Sequence, residues 1–445
     1  MDHLHQLFLR QELERIEKQE LFRQLYPDHV FDEQKLYNIC SLLMRLYEEF
    51  TALKFWKEQP LRQRLTTLEG LPAKHSGEFQ RNFRKLQTQL GRYDQAPGME
   101  RNLVRYQGEM LHMAYLLRQN RSPGPALQQA DEALERFYYA AKLRLACEFL
   151  NRKQVIRQEF QPRDASDLIG WLRSRPEVLA SDPALLMYFH IYQILDQPHD
   201  PAPYQACLEL LQQSTSDLHP TERLEGCTYC INYCIRRINQ GEQAFSPELF
   251  RLYQWAFASQ TLMPTGLLDV WHFKNAVTIG IRLEAFDWVE QCIVEQINWL
   301  PEEVRDNAFH YNLASLYFAR KQYEEAKKLL LRVEFTDVYY NLDSRVLLAR
   351  IYFEQREGEA LLSVLQSLRT FLERNKVISV VQKELYLNFS RLLKRLESFR
   401  NKLAILAKAR LITEKEKLDR AFGKYTNVAQ VGWLRQQYEA LVKEI

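Results

Sequence analysis

Cys227, Cys230 and Cys234, in the run Cys-Thr-Tyr-Cys-Ile-Asn-Tyr-Cys, are the residues whose type and spacing come nearest to a metal site. Steps of three and four put their sulfurs on one helix face, and a tetrahedral zinc site would need a fourth ligand such as His219. Zinc-binding cysteine pairs normally sit on a turn and are answered by a second pair elsewhere, which this sequence lacks. Cysteine is also a small hydrophobe, and Ile231 and Ile238 extend the same face. We therefore read the stretch as core and expect neither metal nor cofactor. H-E-x-x-H, G-x-x-x-x-G-K-[ST], G-x-S-x-G and G-x-G-x-x-G are all absent, which leaves zinc-peptidase, P-loop, hydrolase and dinucleotide chemistry without a starting motif. His3 and His5 read as solvated, and the adjacent pairs Glu302-Glu303 and Glu324-Glu325 diverge around a helix, so they suit a surface better than acid–base work. A non-enzymatic protein is expected.

Residues 391 to 424 hold eleven Lys or Arg against four acids, among them Lys394, Arg395, Arg400, Lys402, Lys408 and Arg410. A basic strip of this kind can track phosphates, but long cations at helical spacing also snorkel along apolar neighbours, and the solvated face is the favoured reading. The whole chain has 60 Lys plus Arg against 57 Asp plus Glu, a net charge of +3, which marks neither a nucleic-acid nor a membrane binder. Its start, Met1-Asp2-His3-Leu4-His5, leads into a charged amphipathic run without the apolar core of a signal peptide. The most apolar run, Ala184 to Leu195, contains His190 and Gln193 and falls short of the roughly 20 residues a spanning helix needs. Seven cysteines, an odd number, suit thiols in a reducing compartment, so a cytoplasmic protein is expected.

The elements that must position any site are helical. Over 445 residues there are 14 glycines, and all 16 prolines lie at or before Pro301, so helix breakers are scarce in the last third. Apolar spacing predicts a helix over 2–26 that ends at Pro27. A second helix, from Asp32, carries Leu36, Ile39, Cys40, Leu43, Leu46, Tyr47 and Phe50 as a stripe set against a neighbour. Pro60, Gly70, Pro72, Gly77, Gly91, Pro97 and Gly98 predict a loop-rich segment from 59 to 98. Asp182-Pro183 reads as a cap followed by proline in the first turn, and Gln197 to Pro203 as a proline-stiffened bend within one array, with a domain boundary there as the alternative. Regular alternation follows, with helices expected at about 220–239, 266–282, 286–298, 302–319, 322–334, 337–354 and 358–374. Asn427 with Gln430 resembles a capping box that opens a last helix.

One stretch recurs. Leu313-Ala314-Ser315-Leu316-Tyr317-Phe318 returns 35 residues later as Leu348-Ala349-Arg350-Ile351-Tyr352-Phe353. With Tyr323-Glu324-Glu325-Ala326 behind the first copy, residues 307–374 resemble the tetratricopeptide repeat, a helix–turn–helix unit. The family's Leu, small residue, Tyr and Ala fall on Leu313, Ala314, Tyr317 and Ala326, then on Leu348, Ala349, Tyr352 and, after a one-residue slip, Ala360. Phe286-Asp287-Trp288-Val289 is a degenerate upstream copy, whereas His310 and Val338 replace the family's tryptophan and terminal proline.

The resemblance implies an all-α, TPR-like α-solenoid, with stacked antiparallel helix pairs in a right-handed superhelix. An N-terminal helical region at 1–125 and an array at 126–445 with a C-terminal capping helix are the expected divisions. It also implies a concave groove lined by the first helix of each pair, which here would hold Trp271, Lys274, Asn275, Thr278, Tyr311, Asn312, Ser315 and Arg350. The family's carboxylate clamp takes Lys and Asn from consecutive first helices; Lys274, Asn275 and Asn312 suit it, but Val346 and Leu347 stand at the later places. The expected role is a scaffold binding a protein or peptide partner in that groove. A nucleic-acid-associated regulator using the basic strip is the alternative.

Overall fold

The computed structural model describes residues 17–71, 76–92, 96–153, 165–213, 217–333, 338–376, 378–425 and 427–444. Among them 81% are helical, in 21 α-helices, and there is no strand. The fold is therefore all-α, as glycine scarcity and apolar spacing predict. The chain divides into two compact units, Met1–Gly226 and Cys227–Ile445.

The first unit runs α1 (Lys18–Leu25), α2 (Glu33–Lys57), α3 (Pro60–Gly70), α4 (Ser76–Leu90), α5 (Gly98–Arg118), α6 (Gly124–Lys153), α7 (Ala165–Arg173), α8 (Pro176–Ala180), α9 (Pro183–Asp196) and α10 (Ala202–Gln213). It ends within α11 (Pro220–Asn239). Most of the 2–26 helix lies outside the described residues. Asp32 does cap α2, its carboxylate accepting from the Lys35 N–H at 2.9 Å. Asp182 likewise caps α9 through the Ala184 and Leu185 N–H groups at 2.9 and 3.3 Å, with Pro183 in the first turn.

Two expectations fail here. Where it is described, the segment 59–98 is helical rather than loop-rich, because Pro60, Gly70 and Gly77 sit where helices tolerate them; Pro72 lies outside the described residues. Pro60 opens α3, Gly70 closes it and Gly77 lies in the first turn of α4. Between them Leu61, Leu65 and Leu68 pack with Phe79, Phe83, Leu86 and Leu90. Among the described residues the α2 stripe also lacks the neighbour its periodicity implies. Only Leu36 is buried, while Leu46, Tyr47, Phe50 and Leu53 are exposed.

The second unit holds the rest of α11, then α12 (Phe245–Ala258), α13 (Val270–Arg282), α14 (Phe286–Gln296), a 3₁₀ turn (Ile297–Trp299), α15 (Glu302–Ala319), α16 (Tyr323–Leu330), α17 (Val338–Glu354), α18 (Gly358–Arg374), α19 (Val380–Leu403), α20 (Lys408–Lys424) and α21 (Val431–Val442). From α12 to α20 each helix packs on the next, and α21 packs on α19. In addition α13 meets α15, as α15 meets α17. Cys227, Cys230 and Cys234 are buried in this unit beside Tyr229, Ile231 and Tyr233.

Three hairpins in this unit, α13–α14, α15–α16 and α17–α18, share one turn. Glu284, Lys321 and Arg356 all adopt the left-handed conformation at φ 56°, 60° and 61°. The next N–H in each, from Ala285, Gln322 and Glu357, reaches back to the carbonyl of Gly280, Tyr317 and Tyr352 at 3.0, 2.8 and 2.9 Å. The identical closure recurs at spacings of 37 and 35 residues in the sequence. It also fixes the register. Ala326, fourth in α16, is matched by Leu361, fourth in α18, and both are wholly buried, whereas Ala360 is half-buried. No slip is needed, since a Leu stands where the small residue is expected.

The expected capping box at Asn427 and Gln430 does not form. Gln430 is itself the residue before α21, in the left-handed region at φ 53° with no capping side chain. The Asn427 amide instead donates to the Val381 carbonyl at 3.2 Å, and its own carbonyl accepts from Asn388 at 3.0 Å, which ties the start of α21 to α19.

Candidate functional site

The first helices of the three matched hairpins place part of the predicted groove together. On α13, the Lys274 ammonium lies 5.3 Å from the ring centroids of Trp271 and Tyr311 and 5.9 Å from that of Tyr340. It pairs with the Asp343 carboxylate on α17, whose other oxygen accepts from the Tyr386 hydroxyl of α19 at 3.0 Å. Burial, and then the Asp343 carboxylate, raise the Tyr311 phenol above its ordinary range. Trp271, Lys274 and Tyr311 are legible in the sequence. Tyr340, Asp343 and Tyr386 are not, because nothing in the chain couples Lys274 to a carboxylate 69 residues away.

Other predicted residues are spent within the scaffold. Asn312 is buried, and its amide donates to the Ala308 carbonyl one turn back at 2.7 Å. The Ser315 hydroxyl turns back on the Tyr311 carbonyl at 2.9 Å. Asn275 stands beside the buried Tyr253 hydroxyl. None of the three is directed toward Lys274 by these bonds.

Thr278 and Arg350 instead line a cleft of about 850 Å³. Its walls come from the end of α11 and the loop beyond it, the last turn of α13, Arg350 of α17 and the first turns of α21. Among the described residues three arginines, Arg282, Arg350 and Arg435, line it, and no carboxylate does. Arg282 donates to the Gln243 side-chain carbonyl at 2.6 Å and Arg350 to that of Gln430 at 3.3 Å. Both acceptors are neutral. The Arg350 guanidinium is sandwiched between Phe318 and Trp433, 4.3 and 5.1 Å from their centroids, and its buried Nε has no hydrogen-bond acceptor among the described residues. Desolvation lowers its pKa to about 10, so it stays charged at neutral pH. Glu354, one turn on, is the nearest opposing charge, and it already accepts from the Trp433 indole at 2.7 Å and from the Tyr323 hydroxyl.

Four of the eleven cations in the basic strip on α19 and α20 are paired with its own acids. Glu414 accepts from Lys402 and Lys417, Asp419 from Lys415, and Glu397 from Arg400. Among the described residues no group of three or more His, Cys, Asp or Glu could hold a metal ion, and no helix is long and apolar enough to cross a membrane. Comparison with family models, with curated proteins and with solved structures found no match.

Proposed function

We propose that this chain is a non-enzymatic helical-repeat scaffold, in which stacked antiparallel pairs of TPR-like, α-solenoid character hold a protein or peptide partner along the face of α13, α15 and α17. The observation that carries it is that three successive helix pairs are joined by equal three-residue links, at 283–285, 320–322 and 355–357, with α13 packed on α15 and α15 on α17. Identical turns set successive pairs at a like angle, so that alternate helices share a face, as the Lys274–Asp343 pair does. That face presents exposed Trp271 and Thr278 beside the half-buried Lys274.

The test is affinity capture with the full chain, followed by crosslinking mass spectrometry on the captured partner. Crosslinks should map to α13, α15 and α17, and a Trp271→Ala, Thr278→Glu double variant should lose the partner while keeping its helical circular dichroism. Crosslinks confined to α14, α16 and α18, or capture that survives the double variant, would remove this face from the proposal.

A further inference from the structure

The cleft at the start of α21 is chemically one-sided. Its described lining offers Arg282, Arg350 and Arg435 and no acid. An arginine in a folded protein is usually answered by a carboxylate, a phosphate or several carbonyls; here Arg282 is answered by one neutral glutamine, and Arg350 by another and, without a hydrogen bond, by Glu354, whose carboxylate is engaged by Trp433 and Tyr323. The α21 N-terminus adds to this. With no side-chain cap at Gln430, the first-turn N–H groups at Val431, Gly432 and Trp433 have no capping acceptor, and the positive end of the helix dipole faces the same space. Independently of the helix end, Arg350 is held between two rings and donates toward the cleft through a terminal nitrogen to exposed Gln430 at 3.3 Å, a long bond to a neutral acceptor that a carboxylate can displace.

From this juxtaposition we propose that the cleft binds an acidic peptide segment of the partner, its carboxylates bridging Arg282, Arg350 and Arg435. The inference rests on the scaffold reading and adds to it the chemistry of what is bound. A chain segment fits better than a small compact ligand, because Arg282, Thr278, Gln430 and Arg435 are all exposed and the cleft of about 850 Å³ is open to solvent rather than enclosed. Planar guanidinium groups pair bidentately with carboxylates, and three of them around one cleft select for charge spread along a strand over a single anion. Arg350, held rigid between Phe318 and Trp433, loses little freedom on pairing and is the anchor, whereas Arg282 and Arg435 at the exposed rim draw the segment in.

The experiment is a fluorescence-anisotropy titration of the full chain with a fluorescein-labelled Glu/Gly peptide, its Gln/Gly counterpart and a labelled duplex oligonucleotide. Arg282→Gln and Arg435→Gln are the variants, since both side chains are exposed and their loss leaves the core intact. The Glu/Gly peptide should bind and weaken with added salt, the Gln/Gly peptide should not bind, and each substitution should reduce affinity about tenfold. Absent binding, or binding that both substitutions leave unchanged, overturns the proposal. So does an oligonucleotide that binds as tightly with the same arginine dependence, which would make the cleft a general polyanion site. The two readings fail separately: partner capture lost in Trp271→Ala but retained in Arg282→Gln and Arg435→Gln keeps the face and removes the cleft, whereas capture retained in Trp271→Ala but lost in both arginine variants removes the face and keeps the cleft.

Discussion

The stability of the first unit should fall as pH rises through neutrality, and Glu222 is the cause. Its side chain is buried in the first turn of α11, where one carboxylate oxygen accepts the Gly98 N–H at 2.8 Å and the other the His219 N–H at 3.3 Å. Burial raises its pKa from 4.5 to about 7, and the nearby Asp182 carboxylate pushes the same way; the two N–H donors and Arg101 oppose them without prevailing. The folded protein thus holds this proton more tightly than the unfolded chain. The stabilising contribution is complete below about pH 4.5, declines above it and is gone once pH has passed about 7. The interval between those two values corresponds to roughly 3 kcal/mol. Buried His190 and His272 work in the opposite sense, because burial lowers their pKa values and the neutral forms favour folding as pH rises. The discriminating quantity is therefore the difference between wild type and Glu222→Gln, in which glutamine keeps an acceptor for the Gly98 N–H but cannot ionise. Urea unfolding from about pH 5 to about pH 8 should show the wild type losing on the order of 2–3 kcal/mol relative to the variant. Parallel stability curves for the two proteins would refute the assignment of a raised carboxyl at this position.

Further substitutions probe the helix pairs and the N-terminal helix. A Cβ placed on Gly280 would lie 2.5 Å from Val289 Cγ2 and 3.3 Å from the Trp288 ring, so Gly280→Ala should destabilise by about 1–2 kcal/mol despite its helix propensity. Gly423→Ala, with open space around it, should instead raise the unfolding midpoint, and a gain in both variants would deny close packing of α13 on α14. Lys321 holds a left-handed backbone at φ 60° without being glycine, so Lys321→Gly should stabilise by about 0.5–1 kcal/mol in thermal unfolding; a loss would mean that its side chain packs. Phe50 is 63% exposed on α2, and Phe50→Glu should change stability by less than about 0.5 kcal/mol, whereas a large loss would place that stripe in a core.

What can be read in the chain follows the range of the forces involved. Caps at Asp32 and Asp182 are legible because an N-cap is settled within three residues by a carboxylate and one or two N–H groups. The recurrence at Leu313 and Leu348 is legible for a related reason, since each hairpin meets the same packing demand and answers it with the same residues. Periodicity alone is a weaker guide. It assigns α2 an apolar stripe but does not say whether anything lies against it, and breaker counting mistakes the ends of α3 and α4 for loop. The site divides along the same line. Repeat register finds Thr278 and Arg350, and Arg282 is within its reach, one turn beyond Thr278 on the same face of α13. Arg435 and the uncapped first turn of α21 are not, because α21 lies outside the repeat and its approach to Arg350 depends on Trp433 bonding Glu354 across 79 residues. Local chemistry can therefore predict which helices pair. The charge that the proposed cleft gathers comes from where a distant helix ends, and only packing decides that.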